Sequence, residues 1–476
     1  MDCLRASTST ESITPFIHSF PLKWNRCYSS GTWTLPSHAS LFSGQSLIDH
    51  GVTRPGDELS RSIATLPRIA QESGYKTALF SENPYFSSQT GFGNHINDTY
   101  DDIDKKPFQS DFSPFSFVDK VGLDEGLSLT KEILSRPNRI RNLVNTGYTA
   151  YREFSSYEPS YPHNGNRVIS RLISYLSYQT EPTLIVTNIL EPHNPYHGKP
   201  PNTVEKRPVM ELEALQSGDD NRTYLLTREQ PPEKVSSVYG DWETLHRAQK
   251  DVYEEYVREA DKLLKKLKHE QTEWFEDGLV VIVGDHGQLF GAEGMVGHQT
   301  SLHPLGINVP LAIDPPKDWR STERAINDPV SIAGLGSALT DVMRGKIDTT
   351  SGLTEAIFKY SHEEYESVIS CADGPVWPVT SLQEEDRYDE SLIDKLSVRK
   401  VARIDNDYVY IYESRWNESQ ISVKSYQYSQ SDRNLIRDRE APPVPNKVEN
   451  WLTEPRSPVN DKSMDRDARL EALGYI

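Results

Sequence analysis

Gly278-Leu-Val-Val-Ile-Val-Gly-Asp-His-Gly287 is the stretch on which the fold turns. Leu279 to Val283 is an unbroken apolar run between glycines, the pattern of a strand buried on both faces, as in parallel sheets covered by helices. It runs directly into Asp285 and His286, and in open α/β sheets ligands collect at the carboxyl ends of the strands. Thr183-Leu-Ile-Val-Thr-Asn-Ile-Leu190 repeats the arrangement and delivers Glu191-Pro-His-Asn-Pro-Tyr196 at its end. Upstream, Thr65 to Gly74 reads as a helix with Thr65 as cap, Pro67 in its first turn and Gly74 as its stop, followed by a strand over Lys76 to Ser81. Val168 to Ser177 has helical spacing, and Val252, Tyr256, Ala260, Leu263, Leu264 and Leu267 mark one face of a longer helix. This alternation predicts an α/β sandwich with a mostly parallel central sheet.

Working outward, Asp2 to Ser60 is dense in Ser, Thr, Gly and Pro and reads as loops and short turns around Thr34-Leu-Pro-Ser-His-Ala-Ser-Leu-Phe-Ser-Gly44, with a helix after Ser37. Residues of about 97–166 and 199–248 read as insertions. Val401 to Tyr412 alternates like an antiparallel hairpin, so residues 1–345 form the expected catalytic domain and 346–476 a small antiparallel α+β subdomain with a tail. Within that tail, 432–461 reads as a surface strap and 466–473 as a short helix.

The chain has 476 residues, enough for two or three units, and 36% hydrophobic content suffices for buried strands. Seventy acidic against 51 basic residues give a net charge of −19, which repels phosphate backbones and excludes a nucleic-acid partner. Cys3, Cys27 and Cys371 are too scattered for a disulfide framework or a cysteine-based zinc site, no stretch is apolar enough for a transmembrane segment, and a cytoplasmic protein is expected.

Four separated places offer metal ligands or contacts for an anionic group: Asp2, Thr34 with His38, His193, and Asp285 with His286. Together with Trp33 to Gly44, Glu191 to Tyr196, Gly284 to Gly291, Gly297-His298 before Val309-Pro-Leu311, and Arg469 to Tyr475, they make the chain resemble the sulfatase family over its whole length. That resemblance implies an alkaline phosphatase-like α/β/α sandwich with an active site at the carboxyl ends of the strands. It also implies Asp2, Asp285 and His286 as metal ligands and Thr34 as the nucleophile that touches the metal. His38 occupies the place where sulfatases usually carry an arginine, His193 resembles the histidine on an ester oxygen, and His298 stands where a residue assists the leaving group. Asn83, after the strand ending at Ser81, reads equally well as a site residue or a turn residue. The chemistry is coherent: a divalent cation lowers the pKa of a bound hydroxyl and neutralises the transferring group, while imidazoles donate to ester oxygens.

The departures from the family pattern are informative. Threonine cannot become formylglycine, and Tyr28-Ser-Ser-Gly31 after Cys27 lacks the processing signal. A threonine adduct must then be opened by a second in-line attack, which favours phosphate over sulfate esters. Cys3 replaces a second acidic residue beside Asp2, and His286 brings nitrogen where an amide oxygen is common, so Mn²⁺ or Zn²⁺ competes with Ca²⁺. The expected substrate is a small anionic ester, a sugar or lipid-headgroup conjugate. A phospho-group transferase acting on a glycan or lipid acceptor, and an inactive binding protein of the same fold, are the alternatives. Family members carry an apolar strand before the residue equivalent to Asp2; without it, Asp2 is expected on a flexible terminus. In-frame translation upstream of Met1 is expected to give about five or six further apolar residues, a typical strand; a stop codon adjoining Met1 refutes this.

Overall fold

The computed structural model describes residues 1–83, 85–101, 165–193, 241–294, 297–298, 300–319, 324–374, 396–416, 418, 420–427 and 441–454. The strands are β1 (Leu22–Tyr28), β2 (Lys76–Phe80), β3 (Asp98–Tyr100), β4 (Thr183–Thr187), β5 (Val280–Val283), β6 (Asn308–Asp314), β7 (Arg324–Ile326), β8 (Val330–Ser331), β9 (Val368–Asp373), β10 (Val398–Ile404), β11 (Tyr408–Arg415) and β12 (Ile421–Gln427). The helices that matter below are α1 (Thr34–Ser43), α2 (Leu66–Glu72), α3 (Gly165–Leu176), α4 (Trp242–Glu270), α5 (Ile332–Met343), α6 (Thr350–His362) and α7 (Asn446–Thr453).

Three sheets result. In β3-β2-β4 all pairs are parallel. In β5-β6-β1-β7, with β8 also on β1, the pairs of β6 are antiparallel and those of β1 with β7 and β8 parallel. The third, β12-β11-β10-β9, is an antiparallel meander. The fold is α/β, with mixed sheets and helices against them. Residues 1–2 lie between the carboxyl ends of β4 and β5: the Asp2 N–H donates to Ile189 O at 3.0 Å, the Met1 amine to Val283 O at 2.9 Å, and the Asp285 N–H to Met1 O at 3.2 Å.

β1 corrects the reading of residues 2–60 as loops and turns. Leu22 and Trp24 are buried on one face with polar Lys23 between them, the alternation a strand requires. A bulge hides the pattern: Trp24 pairs with Leu311 and Cys27 with Val309, so β1 carries one extra residue against β6. The bulge leaves Asn25 exposed and buries Arg26, whose guanidinium donates to Asp405 O and Asn406 O at the β10–β11 turn. After β1 the chain turns sharply into α1. Gly31 is required there, since a Cβ would lie 2.9 Å from Pro36 Cγ. The Cys371 N–H of β9 donates to Ser30 O at 2.9 Å and fixes the turn from the other side.

Several boundaries also differ from the sequence reading. α1 begins at Thr34 itself rather than after Ser37. Thr65 precedes α2 as expected, although its side chain makes no capping bond. α4 begins at Trp242 and β3 lies at 98–100, both inside stretches read as insertions. The rest of those insertions, Asn194 to Tyr196, most of the strap and the terminal helix fall outside the described residues.

Among the described residues, two of the hydrophobic cores join β1 to its neighbours. Leu22, Trp24, Cys27, Val309, Leu311 and Ile313 pack with Ile332 and Leu335 of α5 and with Leu353 and Ile357 of α6, beyond residue 345. Tyr28, Leu302 and Ile307 pack with Val368, Ala402, Ile404, Val409 and Ile411 of the meander. Helix α4 anchors the amino-terminal segment: Asp261 accepts the N–H groups of Phe16 and Ile17 at 3.0 Å each, and the Tyr253 hydroxyl donates to Cys3 O at 2.9 Å. Among the described residues no helix is long and apolar enough to cross a membrane. Leu311, 1% exposed between β1 and β5, sits at the centre of the first core. Leu311→Ala is expected to cost about 2–5 kcal/mol in urea-induced unfolding; a loss below 1 kcal/mol refutes this packing.

Candidate active site

The site is assembled from chain ends that tertiary structure brings together: the segment at Asp2, the first turn of α1, the residues after β2, β4 and β5, and His298. Asp2 is fully buried, not loose as the reading of a flexible terminus required, because residues 1–3 are hydrogen-bonded to both flanking strand ends. His286 Nε2 lies 3.4 Å from Asp2 Oδ1 and 3.6 Å from Asp285 Oδ2. Its Nδ1 is 3.1 Å from Gly287 O, which fixes the ring so that Nε2 faces the carboxylates. Thr34 is the first residue of α1, where the helix dipole favours negative charge, and Trp33 supplies no side-chain cap. The Thr34 hydroxyl is 3.4 Å from Asp2 Oδ2 and 3.5 Å from His286 Nε2.

Asn83 belongs to the site. Its Oδ1 accepts the Tyr85 N–H at 2.8 Å, so its amide group faces inward and donates to Asp2 Oδ2 at 2.5 Å and to Thr34 Oγ1 at 3.2 Å. His38, one turn along α1, holds Thr34 O with Nδ1 at 2.9 Å, stands 3.7 Å from Asp285 Oδ2 and stacks on Phe86 with ring centroids 3.9 Å apart. It contacts the backbone of Thr34 rather than its hydroxyl. His193, half-buried at the end of β4, places its ring centroid 5.5 Å from that of His298 and 6.5 Å from that of His286. His298 stacks on His286 at 4.2 Å and places Nδ1 2.9 Å from Gln288 Oε1. All seven residues singled out in the sequence therefore meet in one place.

Three further residues lie in the site, and of these the sequence reading names only Cys3, as the replacement for an acidic residue beside Asp2. Cys3 Sγ lies 3.6 Å from His286 Nδ1 and 3.8 Å from His298 Nδ1. Asn188 directs its amide to Asp2 Oδ2 at 3.4 Å, and Gln288 holds His298. Asn188 and Gln288 could have been found by the strand-end rule that found Glu191 and Asp285; the approach of Cys3 to His298 is a contact across the chain that no local pattern shows.

Charge dictates the electrostatics. Burial opposes ionisation of Asp2, yet the imidazoles of His193, His286 and His38 hold its carboxyl well below the ordinary range. Burial and the Asp2 charge push Asp285 up to about 6. Burial works against a charged His286, but Asp285 and Asp2 outweigh it and lift the ring to about 9. Burial takes His38 down to about 4, and with the neighbouring His286 and His193 it lowers His298 well below the usual imidazole range. A divalent metal fits this environment: Asp2 Oδ1 and Asp285 Oδ2 are buried without hydrogen-bond partners on either side of His286 Nε2. Two orphaned carboxylate oxygens are costly unless a cation sits between them. The ligand atoms of Asp2, Cys3 and His286 all lie within 4.8 Å of one another, as do those of Cys3, His193 and His298.

The fold and this site define an α/β protein that gathers a carboxylate, imidazole and hydroxyl cluster at the carboxyl ends of its strands. The sulfatase family model matches residues 5–345, and the chain belongs to that family. No curated protein matches it. Among solved structures it is similar to the phosphonate monoester hydrolase of Agrobacterium radiobacter, at 15% identity and a TM-score of 0.54, covering 89% of this chain and 86% of that one. The phosphonate monoester hydrolase from Silicibacter pomeroyi gives 15% identity and a TM-score of 0.56, over 90% and 87% of the two chains. A 2-O GAG sulfatase gives 13% identity and a TM-score of 0.54, over 90% and 83%.

Glu191 supports the His193 turn from below: buried, it accepts the Gly165 N–H at 2.7 Å, and burial pushes its carboxyl up to about 7. A raised folded-state pKa contributes stability at low pH that is lost as pH rises through about 7. Glu191→Gln keeps the acceptor and removes the titration. The wild type, measured by urea unfolding against this variant, is therefore expected to lose on the order of 3 kcal/mol between pH 5 and pH 9; a pH-independent difference refutes the assignment.

Proposed function

We propose that the chain hydrolyses a small anionic ester through a covalent Thr34 intermediate, with a phosphate or phosphonate ester favoured over a sulfate. One observation carries this: the Thr34 hydroxyl, at a helix amino terminus, stands 3.4 Å from Asp2 Oδ2 and 3.5 Å from His286 Nε2, beside two carboxylate oxygens that lack partners. Asp2, Asp285, His286 and Thr34 would hold the divalent ion, which supplies positive charge that lowers the hydroxyl's pKa and neutralises the transferring group. The mixed oxygen and nitrogen donors suit Mn²⁺ or Zn²⁺ as well as Ca²⁺.

The residues divide the work. The Thr34 hydroxyl donates its hydrogen to Asp2 Oδ2 and is oriented by the Asn83 amide. Its Oγ1 attacks the phosphorus or sulfur as its proton passes to solvent, the bond to the alcohol breaks, and the departing oxygen takes up a proton from solvent on the side lined by His193 and His298. Water then attacks in line, breaks the Thr34 ester and restores the hydroxyl. His38 acts as a positioning residue through Thr34 O. Formylglycine chemistry is disfavoured because Cys27 lies in the core packing of β1 and Cys371 in β9, while threonine stands at the head of α1. The similarity to two phosphonate monoester hydrolases, although each is only 15% identical, agrees with this preference. The substrate would be a sugar or lipid-headgroup conjugate.

A panel of phosphomonoesters, phosphodiesters, phosphonates and aryl sulfates, run with added Mn²⁺, Zn²⁺ or Ca²⁺, tests the reading. Thr34→Ala is expected to lose on the order of 10³-fold or more in kcat, Thr34→Ser to retain part of it, and chelation to abolish turnover. Rapid aryl-sulfate turnover without phosphoester or phosphonate activity, or an undiminished Thr34→Ala variant, overturns it.

A further inference from the structure

Beside the first ligand set lies a second one, in which Cys3 joins the two histidines that line the leaving-group side. We infer that Cys3 Sγ, with one ring nitrogen each of His193 and His298, binds a second divalent cation, one that prefers sulfur and nitrogen donors, as Zn²⁺ does. The three ligand atoms lie within 4.8 Å of one another. In a tetrahedral zinc site with these donors the sulfur–nitrogen edge is about 3.6 Å, so small side-chain rotations bring them onto one ion.

The surroundings are those of a ligand set rather than of ordinary core. Cys3 is fully buried and His298 is 7% exposed, whereas His193 is half-buried, leaving an open side. Three protein ligands with an open position are the pattern of a reactive rather than a purely structural zinc. Gln288 Oε1 lies 2.9 Å from His298 Nδ1, the outer acceptor that a metal-bound neutral imidazole uses for its remaining N–H.

Cys3 itself is held in an unusual way. Its φ of 53° lies in the left-handed region that favours glycine, at a cost of about 1–3 kcal/mol. Asp285 Oδ1 accepts the Cys3 N–H at 3.2 Å, and the Tyr253 hydroxyl donates to Cys3 O at 2.9 Å, so the side chain is fixed among the three imidazoles. A sulfur donor beside two imidazoles shifts preference toward Zn²⁺ or Co²⁺ and away from Ca²⁺. On binding, the thiol releases its proton to solvent and coordinates as thiolate. His193 and His298 then serve as ligands, and the departing oxygen meets a cation on their side of the cleft. The inference does not depend on Thr34 being the nucleophile.

The full-length protein, stripped with chelator and titrated with cobalt(II) chloride, gives the test. Two equivalents are expected per chain, one of them accompanied by a thiolate-to-cobalt charge-transfer band in the near ultraviolet. Cys3→Ser is expected to bind one equivalent without the band, and Cys371→Ala to keep both. Should Cys3→Ser fail to fold, judged by circular dichroism, His298→Ala is to reduce the stoichiometry from two to one. A single equivalent, or two without the thiolate band, overturns the second site while leaving the first, and with it the hydrolytic reading, intact.

Discussion

Two buried carboxylates on either side of one imidazole set the terms for everything else in this molecule. Asp2 and Asp285 approach His286 Nε2 at 3.4 and 3.6 Å, and each keeps one oxygen without a hydrogen-bond partner. Such charges away from water are tolerable only when a cation neutralises them. The His286 ring, lifted to about 9 against its burial by Asp285 and Asp2, supplies positive charge beside them. The surrounding fold keeps this arrangement rigid: the backbone of residues 1–3 is tied to the ends of β4 and β5, and Tyr253 of α4 locks Cys3.

The same electrostatics explain why the neighbouring imidazoles differ in behaviour. His286 lies between carboxylates and gains a proton. His298, stacked 4.2 Å from it, is held neutral by burial and by that positive neighbour. His38 is neutral too, buried against Phe86 with its N–H spent on Thr34 O. One cluster thus contains a cationic ring beside two carboxylates and, 4.2 Å away by ring centroid, the neutral ring of His298. Placing Thr34 at the start of α1 adds the helix dipole to the same region.

Part of the design was legible in the amino-acid order. Strand β5 running into Asp285-His286 was readable as an apolar run between glycines, although its residues are mostly half-buried and its described pairing, with β6, is antiparallel rather than parallel. β2, α2, α3, β4 and the β10–β11 hairpin were readable for similar reasons. β1 was not. Its bulge between Trp24 and Cys27 interrupts the two-residue period, and its neighbours are Ser, Thr and Pro, so local pattern pointed to loop while tertiary pairing with β6, β7 and β8 made it a central strand. The start of α4 at Trp242 was missed because its first two turns are largely polar and lack an apolar face.

By itself, the sequence determined that this is an α/β chain with chemistry at its strand ends, and it named Asp2, Thr34, His38, His193, Asp285, His286 and His298 because their motifs, taken together, resemble the sulfatase family. Only the tertiary structure decided that Asn83, Asn188, Cys3 and Gln288 join them. Their roles depend on distances between segments up to 295 residues apart in the chain, as for Cys3 and His298, which no local pattern encodes. It also decided the charge states of His38, His286 and His298, since these follow from burial and from which charged group lies next to which ring, quantities that exist only once the chain has folded.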